Sequence, residues 1–211
     1  MLRSDPSKNV TMRICFFGDS IVNGTGDDDG LGWVGRVVAA ARGKRLDVTY
    51  YNLGIRRDTS ADIAQRWRAE ADRRFPPESR KRLAFSFGTN DCVSDSRGSA
   101  RVPHAQTLDN AKRILQEAAS VAPTIMLGPA PVLDAVLVDD RVRKISHDLN
   151  VLCAAIGTPF LETITFVAAC PAWRREARDG DGTHPNREGY AALAKFIWDW
   201  LEFHRWLGAD P

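Results

Sequence analysis

An excess of charge of one sign is missing from this sequence. Its 29 lysines and arginines nearly balance 27 aspartates and glutamates, for a formal net charge of +2. That field is too weak to imply nucleic acid or a membrane surface as a partner. Long apolar runs are missing as well, since none approaches the roughly 20 residues that span a bilayer. The opening MLRSDPSKNVTMR lacks the apolar stretch of a secretion signal, so a cytoplasmic protein is expected. Cysteine is scarce, and Cys15, Cys92, Cys153 and Cys170 show no C-x-x-C spacing. Cys15 and Cys153 lie inside apolar runs, where a free thiol is commonly buried, and all four are expected reduced. With no repeat, linker or low-complexity stretch, the chain reads as one α/β domain over 1–211. It would carry a polar extension at 1–12 and a C-terminal tail at 202–211.

What is present is an alternation. Five short runs rich in β-branched or aromatic residues, Arg13–Phe17, Asp47–Leu53, Arg82–Phe87, Thr124–Leu127 and Pro159–Leu161, read as strands. Between and after them, apolar residues recur at helical spacing in Gly32–Ala41, Thr59–Phe75, Leu108–Val121, Val136–Ile156 and Asn186–Leu207. The order strand, helix, strand, helix argues for a parallel sheet with helices on both faces. Such sheets bind ligands beyond the carboxyl ends of their strands, which makes the residues just after each strand the place to look.

Those residues are small and polar: Gly18-Asp19-Ser20, Asn52-Leu53-Gly54, Gly88-Thr89-Asn90-Asp91 and Gly128-Pro129-Ala130-Pro131. Any one of these could be an ordinary turn, but several on one rim point to a site. Near the C-terminus, DGDGTHPNREGY sets Asp181 three residues before His184. A catalytic zinc wants about three protein ligands, and no second histidine stands nearby, so a metal site fails on count. A carboxylate that holds one imidazole nitrogen, while the other takes a proton from a serine hydroxyl, fits the spacing better.

Together these blocks resemble the GDSL/SGNH hydrolases. Gly18-Asp19-Ser20, the isolated Gly54, Gly88-x-Asn90-Asp91 and Asp181-x-x-His184 match that family's four blocks in order, over about Arg13 to Leu201. Ile21 stands where the family name has leucine, a difference of packing. The resemblance implies a flavodoxin-like three-layer α/β/α sandwich with a five-stranded parallel sheet. It also implies Ser20 as nucleophile, His184 as base oriented by Asp181, and an oxyanion hole from the N–H groups of Ser20 and Gly54 and the amide of Asn90. Asp19 and Asp91 are read as local hydrogen-bond acceptors without a catalytic step.

Other readings compete. Gly30-x-Gly32-x-x-Gly35 spells a dinucleotide fingerprint, but twelve residues separate it from Phe17, and Asp27-Asp28-Asp29 would repel a pyrophosphate. The aspartate triplet lacks the alternating ligands and distal glutamate of a calcium loop and reads as a solvated acidic loop. Cys92 could be reactive, though a buried thiol is the simpler reading. His104 is the reserve base, while His147 and His204 fall in helices. Asp19 and Asp91 as an acid and base pair for glycosides would make the serine dispensable. The rim loop Cys92–Thr107 is expected to hold acyl-pocket and specificity residues, with Arg97 or Arg101 facing an anionic leaving group. Trp198, Trp200, Phe203 and Trp206 occupy more than one helical face, which admits a homo-oligomer contact.

The expectation is therefore a cofactor-free serine esterase that cleaves small acyl or acetyl esters through an acyl-enzyme. Alternatives are a lysophospholipase- or thioesterase-type lipid acylhydrolase and a non-catalytic binding module on the same scaffold.

Overall fold

The computed structural model describes residues 11–133 and 136–208. Most of the polar extension expected at 1–12, and the last three residues of the tail, lie outside them. Five strands, β1 (Met12–Gly18), β2 (Val48–Gly54), β3 (Arg80–Ser86), β4 (Thr124–Leu127) and β5 (Phe160–Leu161), form one sheet in the order β2-β1-β3-β4-β5. Every pairing is parallel.

Alternation along β1 explains the layers. Met12, Ile14 and Phe16 point into one core with Trp33, Val37, Tyr190 and Phe203. Cys15 and Phe17 point into the other with Ile63, Trp67, Ile114 and Leu149. Side chains two apart share a face of a strand, so one buried strand must feed two cores. The first core is covered by α2 (Gly32–Gly43) and α9 (Arg187–Trp198), the second by α3 (Ser60–Arg74), α5 (His104–Val121) and α6 (Val136–Ile156). The fold is the three-layer α/β/α sandwich expected. Rings set the sheet-to-helix contacts: Phe16 meets Trp33 of α2 edge-on at 5.6 Å, and Phe85 meets Trp67 of α3 edge-on at 5.7 Å. Each such pair adds about 0.5–1.5 kcal/mol beyond the area it buries.

Two helical expectations need correction. The stretch expected as one helix over Asn186–Leu207 breaks at Trp200, whose backbone is extended, into α9 and α10 (Leu201–Leu207). Residues 202–207 are accordingly no tail, because Phe203, Trp206 and Leu207 are buried in the first core. The segment after β5 also carries α7 (Ile164–Ala169) and α8 (Pro171–Asp179), which its mixed composition did not announce. Among the described residues no helix is long and apolar enough to cross a membrane.

Strand order reverses on either side of β1, so a crevice opens beyond the carboxyl ends of β1 and β3. The chain leaving β1 carries Ser20 there, and the chain leaving β3 carries Asn90 in a one-turn helix, α4 (Thr89–Cys92).

Candidate active site

Ser20 is the first residue of a one-turn helix, α1 (Ser20–Asn23), and is 8% exposed. Asp19 caps that turn: its Oδ1 accepts the Ile21 N–H at 2.9 Å. Gly24, at φ 86°, closes the turn in the left-handed region open to glycine. The turn can sit against the sheet because Gly54 has no side chain. A Cβ there would lie 2.2 Å from Asn23 N and 2.7 Å from Asp19 O. The glycine is thus required by backbone packing.

His184 arrives from the loop between α8 and α9. Its Nε2 lies 2.7 Å from Ser20 Oγ, and its Nδ1 lies 2.6 Å from Asp181 Oδ2. Asp181 Oδ1 accepts the backbone N–H groups of Thr183 and His184 at 3.0 and 2.9 Å. Burial would raise the Asp181 pKa, but these N–H groups and the His184 ring outweigh it and hold it at about 2. An ionised carboxylate can only accept, so Nδ1 carries the ring proton and Nε2 is left to accept from Ser20 Oγ–H. Ser20, His184 and Asp181 therefore form one hydrogen-bonded chain.

The three expected oxyanion donors also converge on this rim, in different states. Ser20 N–H has no acceptor among the described residues. Gly54 N–H donates to Asn52 Oδ1 at 3.1 Å. The Asn90 amide donates to Asp58 O at 3.1 Å and to Asp19 Oδ2 at 3.3 Å.

Asp19 is buried, and its pKa is pushed up to about 7, by desolvation first and then by the Asp91 and Asp58 carboxylates. Asp91, 1% exposed, accepts from Ser60 N, Ser60 Oγ and Thr107 Oγ1. Asp19 is the local acceptor expected, whereas Asp91 accepts from residues 16 and 31 positions away and ties α3 and α5 to the chain after β3.

Several competing readings close. His104 Nε2 pairs with Asp148 at 2.7 Å, His147 is exposed on α6, and His204 Nε2 lies 2.6 Å from Trp198 O. Cys92 is buried with its pKa pushed up to about 12, by desolvation and then by Asp91, and the four cysteines are free and buried. The Gly30–Gly35 stretch leads into α2, and the backbone N–H groups of Leu31 and Gly32 are filled by Asp27 Oδ2. The protein's own carboxylate occupies the place a phosphate would need. No group of three potential metal ligands occurs among the described residues.

Sequence reasoning missed three supports. Asn52 joins β2 to α1 by donating to Val22 O at 2.8 Å while it receives Gly54 N–H. The Asn-x-Gly spacing was the available signal, since asparagine commonly bonds the backbone two residues on. Arg66 pairs with Asp58 and donates to Gly18 O and Leu53 O, fastening the ends of β1 and β2. Its place beside Trp67 on the buried side of α3 hinted at this. The third support is the aspartate triplet, expected as a solvated loop: the Asp27 side chain is buried against Arg36 nine residues on, while Asp28 and Asp29 reach Asn186 and Arg187, 158 residues away.

A cleft of about 490 Å³ opens beside His184, lined by Thr25, Arg56, Glu176, Asp179, Asp181 and Asn186 among others. Pro185 is its one apolar side chain. The cleft reaches the histidine side of the site, and Ser20, Gly54 and Asn90 are not part of its lining. In the Cys92–Thr107 loop, Arg101 donates to Arg57 O.

By sequence, residues 16–192 match the GDSL-like lipase/acylhydrolase family. The chain belongs to this family. It is an ester-cleaving hydrolase of the GDSL type. Solved structures with the same fold include an acetylxylan esterase from Geobacillus stearothermophilus, 17% identical over 96% of this chain and 97% of that one, with a TM-score of 0.71. A member of the lipolytic G-D-S-L family from Veillonella parvula is 19% identical over 91% and 99%, with a TM-score of 0.70. An α/β hydrolase from the metagenome of Lake Arreo is 18% identical over 94% and 96%, with a TM-score of 0.69. No curated protein matches the chain by sequence.

Proposed function

We propose that this GDSL-family hydrolase works through an acyl-enzyme on Ser20, with small acyl or acetyl esters of hydroxyl-rich alcohols as substrates. The observation that carries this reading is the chain from Ser20 Oγ through His184 to Asp181, at 2.7 and 2.6 Å. Ser20 Oγ bonds to the ester carbonyl carbon as His184 Nε2 takes its proton. Asp181 stabilises the imidazolium that forms. His184 then returns the proton to the departing alcohol. Water enters, loses a proton to His184 and attacks the acyl group, which releases the carboxylic acid and restores Ser20.

The tetrahedral oxyanion is held by the N–H groups of Ser20 and Gly54 and by Asn90 Nδ2. Only the first is unengaged at rest, so the oxyanion competes with Asn52 and with Asp58 and Asp19 for the other two. One such donor is typically worth about 3–4 kcal/mol of barrier. The Geobacillus stearothermophilus esterase lends support: its catalytic mutants replace a serine, an aspartate and a histidine, the last two three positions apart like Asp181 and His184.

The cleft bears on the substrate. Arg56 and Asp179 offer a donor and acceptors to hydroxyl groups of a substrate alcohol. The test is a panel of acetylated sugars beside long-chain lysophospholipid esters. Acetyl esters should be favoured in kcat/KM by about 10-fold or more. The reverse order would overturn the substrate assignment.

A further inference from the structure

Asp181 and His184 lie in the same loop, so their hydrogen bond turns the ring without fixing the loop's distance from Ser20. That distance is set by another segment. Gly24 N and Thr25 N both donate to Ser20 O at 3.0 Å, which ties the chain that follows α1 to the serine's own backbone. Two residues on, this chain lies directly against the histidine loop: a Cβ on Gly26, at φ 90°, would come 2.8 Å from Pro185 O and 3.2 Å from His184 Cβ. Tyr190 Oη donates to Thr25 O at 2.8 Å.

The next contact is reciprocal. Asp28 N–H donates to Asn186 Oδ1 at 3.0 Å, and Asn186 Nδ2 donates to Asp28 Oδ2 at 2.8 Å. Asn186 stands two residues after His184 and also caps α9, accepting Arg187 N–H at 2.7 Å. The flanking aspartates stiffen the arrangement. Asp27 binds Arg36 and the backbone at the start of α2, and Asp29 pairs with Arg187.

We propose that Thr25–Asp29 is a strut that spaces His184 from Ser20, with Asp28 and Asn186 as positioning residues for the reaction. The inference rests on the Ser20–His184 reading above. The exposed Asp29–Arg187 ion pair alone would be worth little. The reciprocal Asp28–Asn186 pair matters through geometry, because a displacement of 1 Å at reacting groups can cost about 100-fold in rate.

Three proteins test it: wild type, Asp28→Ala, and the exchange variant Asp28→Asn with Asn186→Asp. The exchange keeps a donor facing an acceptor and preserves the cap on α9. Each is assayed for ester hydrolysis, for the rate at which a fluorophosphonate modifies Ser20, and for thermal midpoint. In Asp28→Ala, kcat and the modification rate should fall together by about 10-fold with KM within about twofold. The exposed position predicts a thermal midpoint within about 2 °C of wild type. The exchange variant should regain both rates. Unchanged rates in Asp28→Ala, a loss that follows the thermal midpoint, or a loss the exchange does not restore would each overturn the strut while leaving the catalytic reading intact. A wild type that is not modified at Ser20 would overturn both.

Discussion

Asp181 grips His184 twice: its Oδ2 lies 2.6 Å from the ring Nδ1, and its Oδ1 accepts the histidine's backbone N–H at 2.9 Å. One carboxylate therefore fixes both the backbone and the tautomer of the residue that faces Ser20. Asp181→Asn should keep the fold but present an amide that can satisfy Nδ1 in the wrong protonation state. Its kcat on a chromogenic acetyl ester should drop by about 10³–10⁴-fold with KM little changed. Wild-type kcat in the variant would remove Asp181 from the account.

Gly54 makes a structural prediction. A methyl group there would meet Asn23 N at 2.2 Å and Asp19 O at 2.7 Å. Gly54→Ala should push α1 from the sheet, cost about 1–3 kcal/mol and lower the thermal midpoint by several degrees. Activity should fall with it, because Ser20 rides on the displaced turn. An unchanged midpoint would contradict the close approach of α1 to β2.

Asp19 predicts a dependence of stability on pH. Desolvation chiefly, with Asp91 and Asp58 adding to it, raises its pKa to about 7 in the folded protein, against the pull of the Ile21 N–H. Below about pH 4 the carboxyl is protonated in folded and unfolded chains alike. Between there and about pH 7 the unfolded chain ionises first, so the folded state holds the extra proton and stability falls as pH rises. Thermal midpoints measured from pH 4 to 8 should decline more steeply in wild type than in Asp19→Asn. Equal slopes would contradict the raised pKa.

Local signals made much of this legible. The apolar runs located all five strands, because a strand buried on both faces is apolar along its length. Thr59 announced the start of α3, where its side chain and that of Asp62 form a reciprocal cap. Ser20, Gly54, Asn90, Asp181 and His184 were legible as family blocks, and the fold brings them to one rim. What was not legible depends on partners distant in sequence. Nothing local says that Asp28 and Asp29 would meet Asn186 and Arg187, 158 residues on. The break at Trp200 was hidden because the apolar spacing continues across it.

The central claim is that Ser20 is the nucleophile of the ester hydrolysis. Mass spectrometry of the protein after treatment with a fluorophosphonate tests it most directly, run beside Ser20→Ala. The predicted result is a single phosphonyl adduct on Ser20 of wild type, none on the variant, and ester hydrolysis in Ser20→Ala reduced by at least about 10³-fold. An adduct on another residue, or hydrolysis by Ser20→Ala at the wild-type rate, would contradict it.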